Sequence, residues 1–89
     1  MKITYRPHKG GLQESMSLAK EFNSVKAMLQ YIVKDNNDAF DIKELHIQYY
    51  GHDNRTGWDT FIITTERYFD RDYMKEYNCP QTIGFCKFN

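Results

Sequence analysis

Apolar side chains recur every three or four positions between residues 25 and 32. Val25, Met28, Leu29 and Ile32 occupy positions i, i+3, i+4 and i+7, which is the spacing of one buried helix face. Ser24 precedes this run, and its hydroxyl can accept hydrogen bonds from the backbone amides of the first turn. The pattern predicts a helix over residues 24–35.

Alternation of apolar and polar residues predicts strands elsewhere in the chain. The predicted strands are residues 2–6, closed by Pro7, and residues 44–50, 58–66 and 82–88. Glycines bracket the polar stretch between the second and third of these strands. Residues 44–66 are therefore predicted to form an antiparallel hairpin with a long connection.

Residues 12–22 fit two different periods. As a strand, Met16, Leu18 and Phe22 share one face, whereas in a helix Leu12, Met16, Ala19 and Phe22 fall close to one stripe. A glycine-rich turn precedes this segment and a helix start follows it, which favours a strand over about residues 15–22. Later in the chain, two tyrosines spaced by four predict a short helical turn over residues 70–77.

Together these elements predict an α+β fold, in which one principal helix packs on an antiparallel sheet of about five strands. The predicted order is β-hairpin, helix, β-hairpin and final strand. We expect the apolar helix face, Val25, Met28, Leu29 and Ile32, to be buried against Ile47, Phe61, Ile63 and Phe85. With 89 residues, the chain is expected to form a single domain over residues 1–89.

Charge and composition bear on several classes of function. Lys plus Arg and Asp plus Glu number 12 each, so the net charge is zero, which argues against a strongly basic nucleic-acid binder and an acidic DNA mimic. The aromatic fraction of 16% suits a core built from few large side chains, or alternatively aromatic anchors for a partner. No apolar signal segment or membrane span is evident, so we expect a cytoplasmic protein without membrane contact.

No residue set in the sequence indicates catalysis or a cofactor. We expect Cys79 and Cys86 to be reduced and buried, because cytoplasmic proteins rarely keep disulfides. Together with His46 and His52 they match none of the usual zinc spacings. The sequence supports no pairing of a nucleophile with a base. We therefore expect no metal, no cofactor and no catalytic residues, and a protein that is not an enzyme.

Two polar segments are the candidate binding elements, a turn at residues 6–11 and a loop at residues 52–58. The simpler interpretation is that both are solvated connections between strands. As a binding site, they would supply cations that pair with anions and a flat ring that stacks on planar groups. The candidate binding residues are Arg6, His8, Lys9, His52, Arg55 and Trp58. Placement of the segments at opposite ends of the sheet would argue against a shared site. If they adjoin, replacing both arginines with alanine should abolish partner capture at a nearly unchanged thermal midpoint, unless the arginines are structural.

The chain resembles a group of small uncharacterised proteins encoded by conjugative transposons and prophages of Firmicutes. The resemblance is carried by YRPHKGGL at residues 5–12 with ESM at 14–16, EFNS at 21–24, GWD at 57–59 and NCPQTIGFC at 78–86. It covers most of the chain. It implies a genomic setting on a mobile element and no particular chemistry.

Three hypotheses of function follow, the first being favoured. The first is a non-enzymatic accessory protein, monomeric or homodimeric, that binds another protein of the host or of the mobile element. The second is a nucleic-acid-binding module in which Arg6, Lys9, Arg55, Arg67 and Arg71 converge on one face despite the neutral charge. The third is a small enzyme or metal protein using His46, His52, Cys79 and Cys86.

Overall fold

The computed structural model describes residues 2–65 and 82–89 of the chain. The strands are β1 (Ile3–Pro7), β2 (Lys20–Phe22), β3 (His46–Asp53), β4 (Trp58–Thr64) and β5 (Thr82–Phe88); the helices are α1 (Leu12–Ser17) and α2 (Val25–Asp35), with a 3₁₀ turn at Ile42–Glu44. The helical turn predicted for residues 70–77 lies outside the described residues. None of the helices in the described part of the chain has the length and apolar character needed to span a membrane.

The strands form one antiparallel sheet in the order β2-β1-β5-β4-β3. The last strand in sequence, β5, therefore lies at the centre, where it pairs with β1 on one side and β4 on the other. The α+β class, the five-stranded antiparallel sheet and the principal helix are all confirmed. The sequence could not give the strand order, because insertion of β5 between two earlier strands depends on contacts distant in the chain.

Helix α2 covers one face of this sheet. The Ser24 side chain accepts a hydrogen bond from the backbone amide of Ala27 at 3.1 Å, so the predicted cap is confirmed. Met28 and Ile32 are fully buried in a core that includes Ile63 of β4. The other predicted core residues, Val25, Leu29, Ile47 and Phe61, are partly buried and pack against this core.

The expected contact between α2 and Phe85 is wrong. Successive side chains of a strand point to opposite faces, and on β5 it is Cys86 that belongs to the core beneath α2. Phe85 therefore lies on the face of the sheet away from α2, next to Arg6. We call this second surface the open face.

The strand predicted over residues 15–22 is correct only for its last part. Residues 20–22 form β2, which pairs with β1, but residues 15–17 belong to helix α1, and residues 18 and 19 connect the two. The cause is tertiary: Ser15 Oγ donates to the carbonyl of Pro7 at 2.6 Å and accepts from Arg6 Nη1 at 3.0 Å. These bonds fix a helical turn against β1, and hydrophobic periodicity carries no signal of them.

Burial in the core predicts a difference between two neighbouring positions on α2. Ile32→Ala should lower the free energy of unfolding by about 2–5 kcal/mol, because Ile32 is completely buried and its truncation leaves a cavity. Leu29→Ala should cost clearly less, since Leu29 is only partly buried. Urea denaturation of both variants measures the difference. Equal losses would contradict the placement of α2.

Candidate functional site

The two predicted polar segments line one cleft of about 530 Å³ on the open face. The two segments start from opposite ends of the sheet. The turn follows Pro7 at the end of β1, the loop precedes Trp58 at the start of β4, and β1 and β4 run in the same direction. Both nevertheless fold inward over the open face, so that the cleft lies between them. The lining includes Arg6, His8, Lys9, Tyr50, His52 and Arg55. Strand order alone would have argued against a shared site, and the inward fold of both connections brings the segments together.

Glycines and a strand irregularity allow this inward fold. Gly10 has φ +62°, a backbone conformation that glycine adopts at no steric cost, so the turn before α1 favours glycine. On the other side, the pairing of β3 with β4 shifts register between Tyr49 and Gly51. Such bulges bend a strand and increase its twist. In the hairpin loop, Gly57 has φ +75° and its amide donates to the Asp53 carbonyl at 2.7 Å.

Arg6 lies at the base of the cleft and is only 6% exposed. Its guanidinium carbon lies 4.5 Å from the ring centroid of Phe85 and 5.3 Å from that of Trp58. Stacking of this kind is typical of arginine, whose planar cation is weakly hydrated. The buried Nε atom of Arg6 makes no hydrogen bond within the described part of the chain. Burial lowers the pKa of Arg6, an effect that the carboxylate of Asp53 opposes and the cation of Arg55 reinforces.

Trp58 supports the cleft and does not line it. Its side chain is buried, and both Arg6 and Lys87 stack on its ring, with Lys87 Nζ 5.0 Å from the centroid. The ring is thus unavailable for the direct ligand stacking that the sequence suggested. The aromatic rings in the lining are instead those of Tyr50 and Phe85, which meet edge to face at 5.8 Å.

Asp53 and Arg55 form the opposite wall of the cleft. The Oδ1 atom of Asp53 accepts a hydrogen bond from the backbone amide of Arg55 at 2.9 Å and lies 3.5 Å from its Nε. The Arg55 side chain itself is 74% exposed, so it can turn toward a ligand. Next to it, Nδ1 of His52 lies 3.0 Å from Oδ1 of the exposed Asp59.

This geometry predicts how Asp53 titrates. The hydrogen bond from the Arg55 amide is the largest cause that holds the pKa of Asp53 below its ordinary value. Arg55→Ala keeps that amide, so the largest of the causes remains and the pKa of Asp53 should stay below its ordinary value, as ¹³C NMR titration of the carboxyl group can measure. Asp53 stabilises the fold above its unfolded-state pKa, and this contribution is lost as the pH falls through the lower folded-state pKa. An ordinary pKa in Arg55→Ala would instead assign the effect to the side chain.

The remaining candidate residues are more dispersed. His8 packs edge to face on Phe85, with centroids 5.7 Å apart, and Lys9 lines the cleft beside it. Within residues 2–65 and 82–89, no three His, Cys, Asp or Glu side chains lie close enough to hold a metal ion. Cys86 is buried, and burial raises the pKa of its thiol to about 12, so it is unreactive at neutral pH. Cys79 lies outside the described residues.

Sequence reasoning missed several residues of the cleft, among them Ser15, Tyr50 and Phe85. Ser15 was predicted to lie in a strand, Tyr50 carried no signal beyond its place in an alternating run, and Phe85 was expected in the core beneath α2. The cleft as a whole offers three cations, Arg6, Lys9 and Arg55, against the carboxylate of Asp53, with aromatic rings in the lining. Such a surface can bind an anionic group joined to a flat or apolar one. Comparison with protein-family models, with curated proteins and with solved structures found no match for this chain.

Proposed function

We propose that this protein acts without catalysis, by binding a segment of another protein in the cleft on its open face. The observation that carries the proposal is the convergence of both polar segments on one cleft of about 530 Å³. In the setting that the sequence resemblance implies, the protein is an accessory factor of a mobile element. Its partner is a host or element-encoded protein of the cytoplasm.

The character of the cleft favours a protein segment as its occupant. Its volume lies within the range of about 300–1,000 Å³ of small-molecule pockets, which is also room for a few side chains of a protein segment. Tyr50 and Arg55 belong to residue types enriched at protein interfaces. The neutral net charge supplies no long-range attraction for a polyanion.

The lining also supports a role without catalysis. Among the described lining residues the one serine is Ser15. Its hydroxyl is already engaged, because it donates to the Pro7 carbonyl and accepts from Arg6. A serine nucleophile needs a base that takes its proton. The groups that contact Ser15 here are a carbonyl and a guanidinium, and neither can serve as that base.

A nucleic-acid-binding module is the second candidate. It is favoured by the meeting of Arg6, Lys9 and Arg55 in one cleft beside aromatic rings, since cations and stacking rings together bind single strands. Arg67 and Arg71, which this hypothesis also needs, lie outside the described residues. Titration with a mixed DNA and RNA panel at low salt tests it, and flat titrations would exclude it.

Site-specific photo-crosslinking in cells tests the proposed protein binding. Benzoylphenylalanine placed at Asn54, an exposed residue of the cleft, should give a covalent adduct with a distinct protein that survives nuclease treatment. The matched control carries the same group at Gln30, which is exposed on α2 away from the cleft. An adduct with the mass of two chains would identify a homodimer. Adducts of equal yield at both positions, or none at either, would contradict the proposal.

A further inference from the structure

The cleft contains more cationic than anionic groups. Asp53 is the carboxylate among the described lining residues, and it is engaged by the backbone amide and Nε of Arg55. Arg6 faces the same cleft from below, with one buried donor that has no hydrogen-bond partner in the described part of the chain. The lining therefore holds three cations, Arg6, Arg55 and Lys9, and one carboxylate, so the cleft carries an excess of positive charge.

Arg6 is held in a fixed orientation before any ligand arrives. Its guanidinium is stacked between the rings of Phe85 and Trp58, and its Nη1 donates to Ser15. A planar cation fixed in this way loses little side-chain entropy when it binds a planar anion. Arg55, by contrast, is exposed and can adapt to the ligand from the opposite wall.

We propose that the cleft recognises an Asp or Glu side chain of the partner segment, whose carboxylate lies between Arg6 and Arg55 while a neighbouring aromatic residue packs on Tyr50 and Phe85. This inference rests on the proposed function and names the chemistry that the partner presents. Arginine forks match carboxylates geometrically, because two parallel N–H groups face two oxygens. The adjoining rings provide the apolar surface for the flanking residue.

The local charges favour a carboxylate over a phosphate. Asp53 is in the lining, and the carboxylate of Glu14 lies close to Gly10, which is one of the lining residues. A phosphorylated side chain carries a charge of about −1.5 to −2, so its second charge would face these two carboxylates. With Glu14 counted beside Asp53, the three cations exceed the carboxylates by one charge, which a single carboxylate balances.

Blocked dipeptides can test this recognition by NMR. The probes are acetyl-Phe-Glu-amide, its neutral counterpart acetyl-Phe-Gln-amide, the phosphate-bearing acetyl-Phe-phosphoserine-amide, and acetyl-Phe with a free terminal carboxylate. Each is titrated into ¹⁵N-labelled protein while the Nε–Hε signals of Arg6 and Arg55 are followed. The glutamate peptide should shift both signals, and the glutamine peptide should shift neither at the same concentration. Arg55→Ala should lower the affinity for the glutamate peptide about tenfold or more. Lys43 is exposed and lies outside the cleft, so Lys43→Ala should leave this affinity unchanged.

Several outcomes would overturn the inference. These are equal shifts with the glutamine peptide, tighter binding of the phosphoserine peptide or the free terminal carboxylate, or no shift with any probe. The crosslinking experiment separates this failure from failure of the proposed function. If an adduct forms only at position 54 but the dipeptides show no selectivity for glutamate, the proposal of protein binding stands. Only the inference that the cleft recognises a carboxylate is then wrong.

Discussion

Gly84→Ala is expected to destabilise the protein by about 3 kcal/mol, at the upper end of the usual cost of overpacking. A β-carbon at this position would lie 2.5 Å from the carbonyl oxygen of Arg6 and 2.6 Å from Cε1 of Tyr5. The first contact is with the backbone of the neighbouring strand β1, which cannot move without breaking its pairing with β5. Urea denaturation, with the loss read from the transition midpoint at constant slope, measures the effect.

Gly11→Ala is the matched control for this prediction. A β-carbon at Gly11 meets nothing within 4 Å, and its φ of −81° suits any residue. Gly11 is the N-cap of α1, where alanine is somewhat poorer than glycine, so a loss of under about 1 kcal/mol is expected. Similar losses at both positions would mean that the ring of Tyr5 does not cross the central strand at Gly84.

Arg6→Ala is the second substitution with a large expected effect. It removes the stacking on two rings and the hydrogen bond to Ser15, and it opens the base of the cleft. A hydrogen bond from a charged group contributes about 1.5–3 kcal/mol, and a buried cation–π contact contributes up to about 2 kcal/mol. We therefore expect a loss of about 2–4 kcal/mol, measured by thermal and urea denaturation.

Arg55→Ala provides the contrast. The Arg55 side chain is exposed, and its ion pair with Asp53, two residues away in the chain, is screened by solvent. The expected loss is under about 1 kcal/mol. The two arginines predicted together from sequence thus separate into a buried cation at the base of the cleft and an exposed cation in its wall. The double variant should be destabilised by the change at Arg6 alone, so the sequence-based expectation of a nearly unchanged midpoint is revised. A fully stable Arg6→Ala variant would contradict the burial of Arg6.

Local pattern was sufficient for the elements whose signals are local. The four apolar positions of α2 and its Ser24 cap predict the helix, and alternation predicts β3, β4 and β5, because each depends on neighbouring residues. A helix was one of the two alternatives for residues 12–22, but the flanking turn favoured the strand. The contacts that stabilise α1 are those of Ser15, which bonds to residues eight and nine positions away. The contact of Phe85 with Arg6 was likewise invisible, because which side of β5 faces the helix depends on register with β1 and β4.

The sequence was sufficient to predict which two segments form the candidate site, but not how they are arranged. The polar turn and loop were identifiable from sequence, since glycines and charged residues interrupt the strands there. Their meeting across the open face depends on the bulge beside Tyr50 and on the placement of β5 at the centre of the sheet, which only the assembled sheet defines. The burial of Trp58 beneath Arg6 and Lys87 could not be inferred for the same reason.

The most direct test of the central claim compares two double variants that lose the same charge in different places. Lys9→Ala with Arg55→Ala removes two cations from the cleft, and Lys26→Ala with Lys43→Ala removes two exposed cations outside it. Calorimetric titration uses the partner recovered by crosslinking at position 54, at matched salt concentration. We predict a loss of affinity of at least about tenfold for the cleft variant alone. Equal losses in both variants would show that binding follows overall charge and that the cleft is not the binding site.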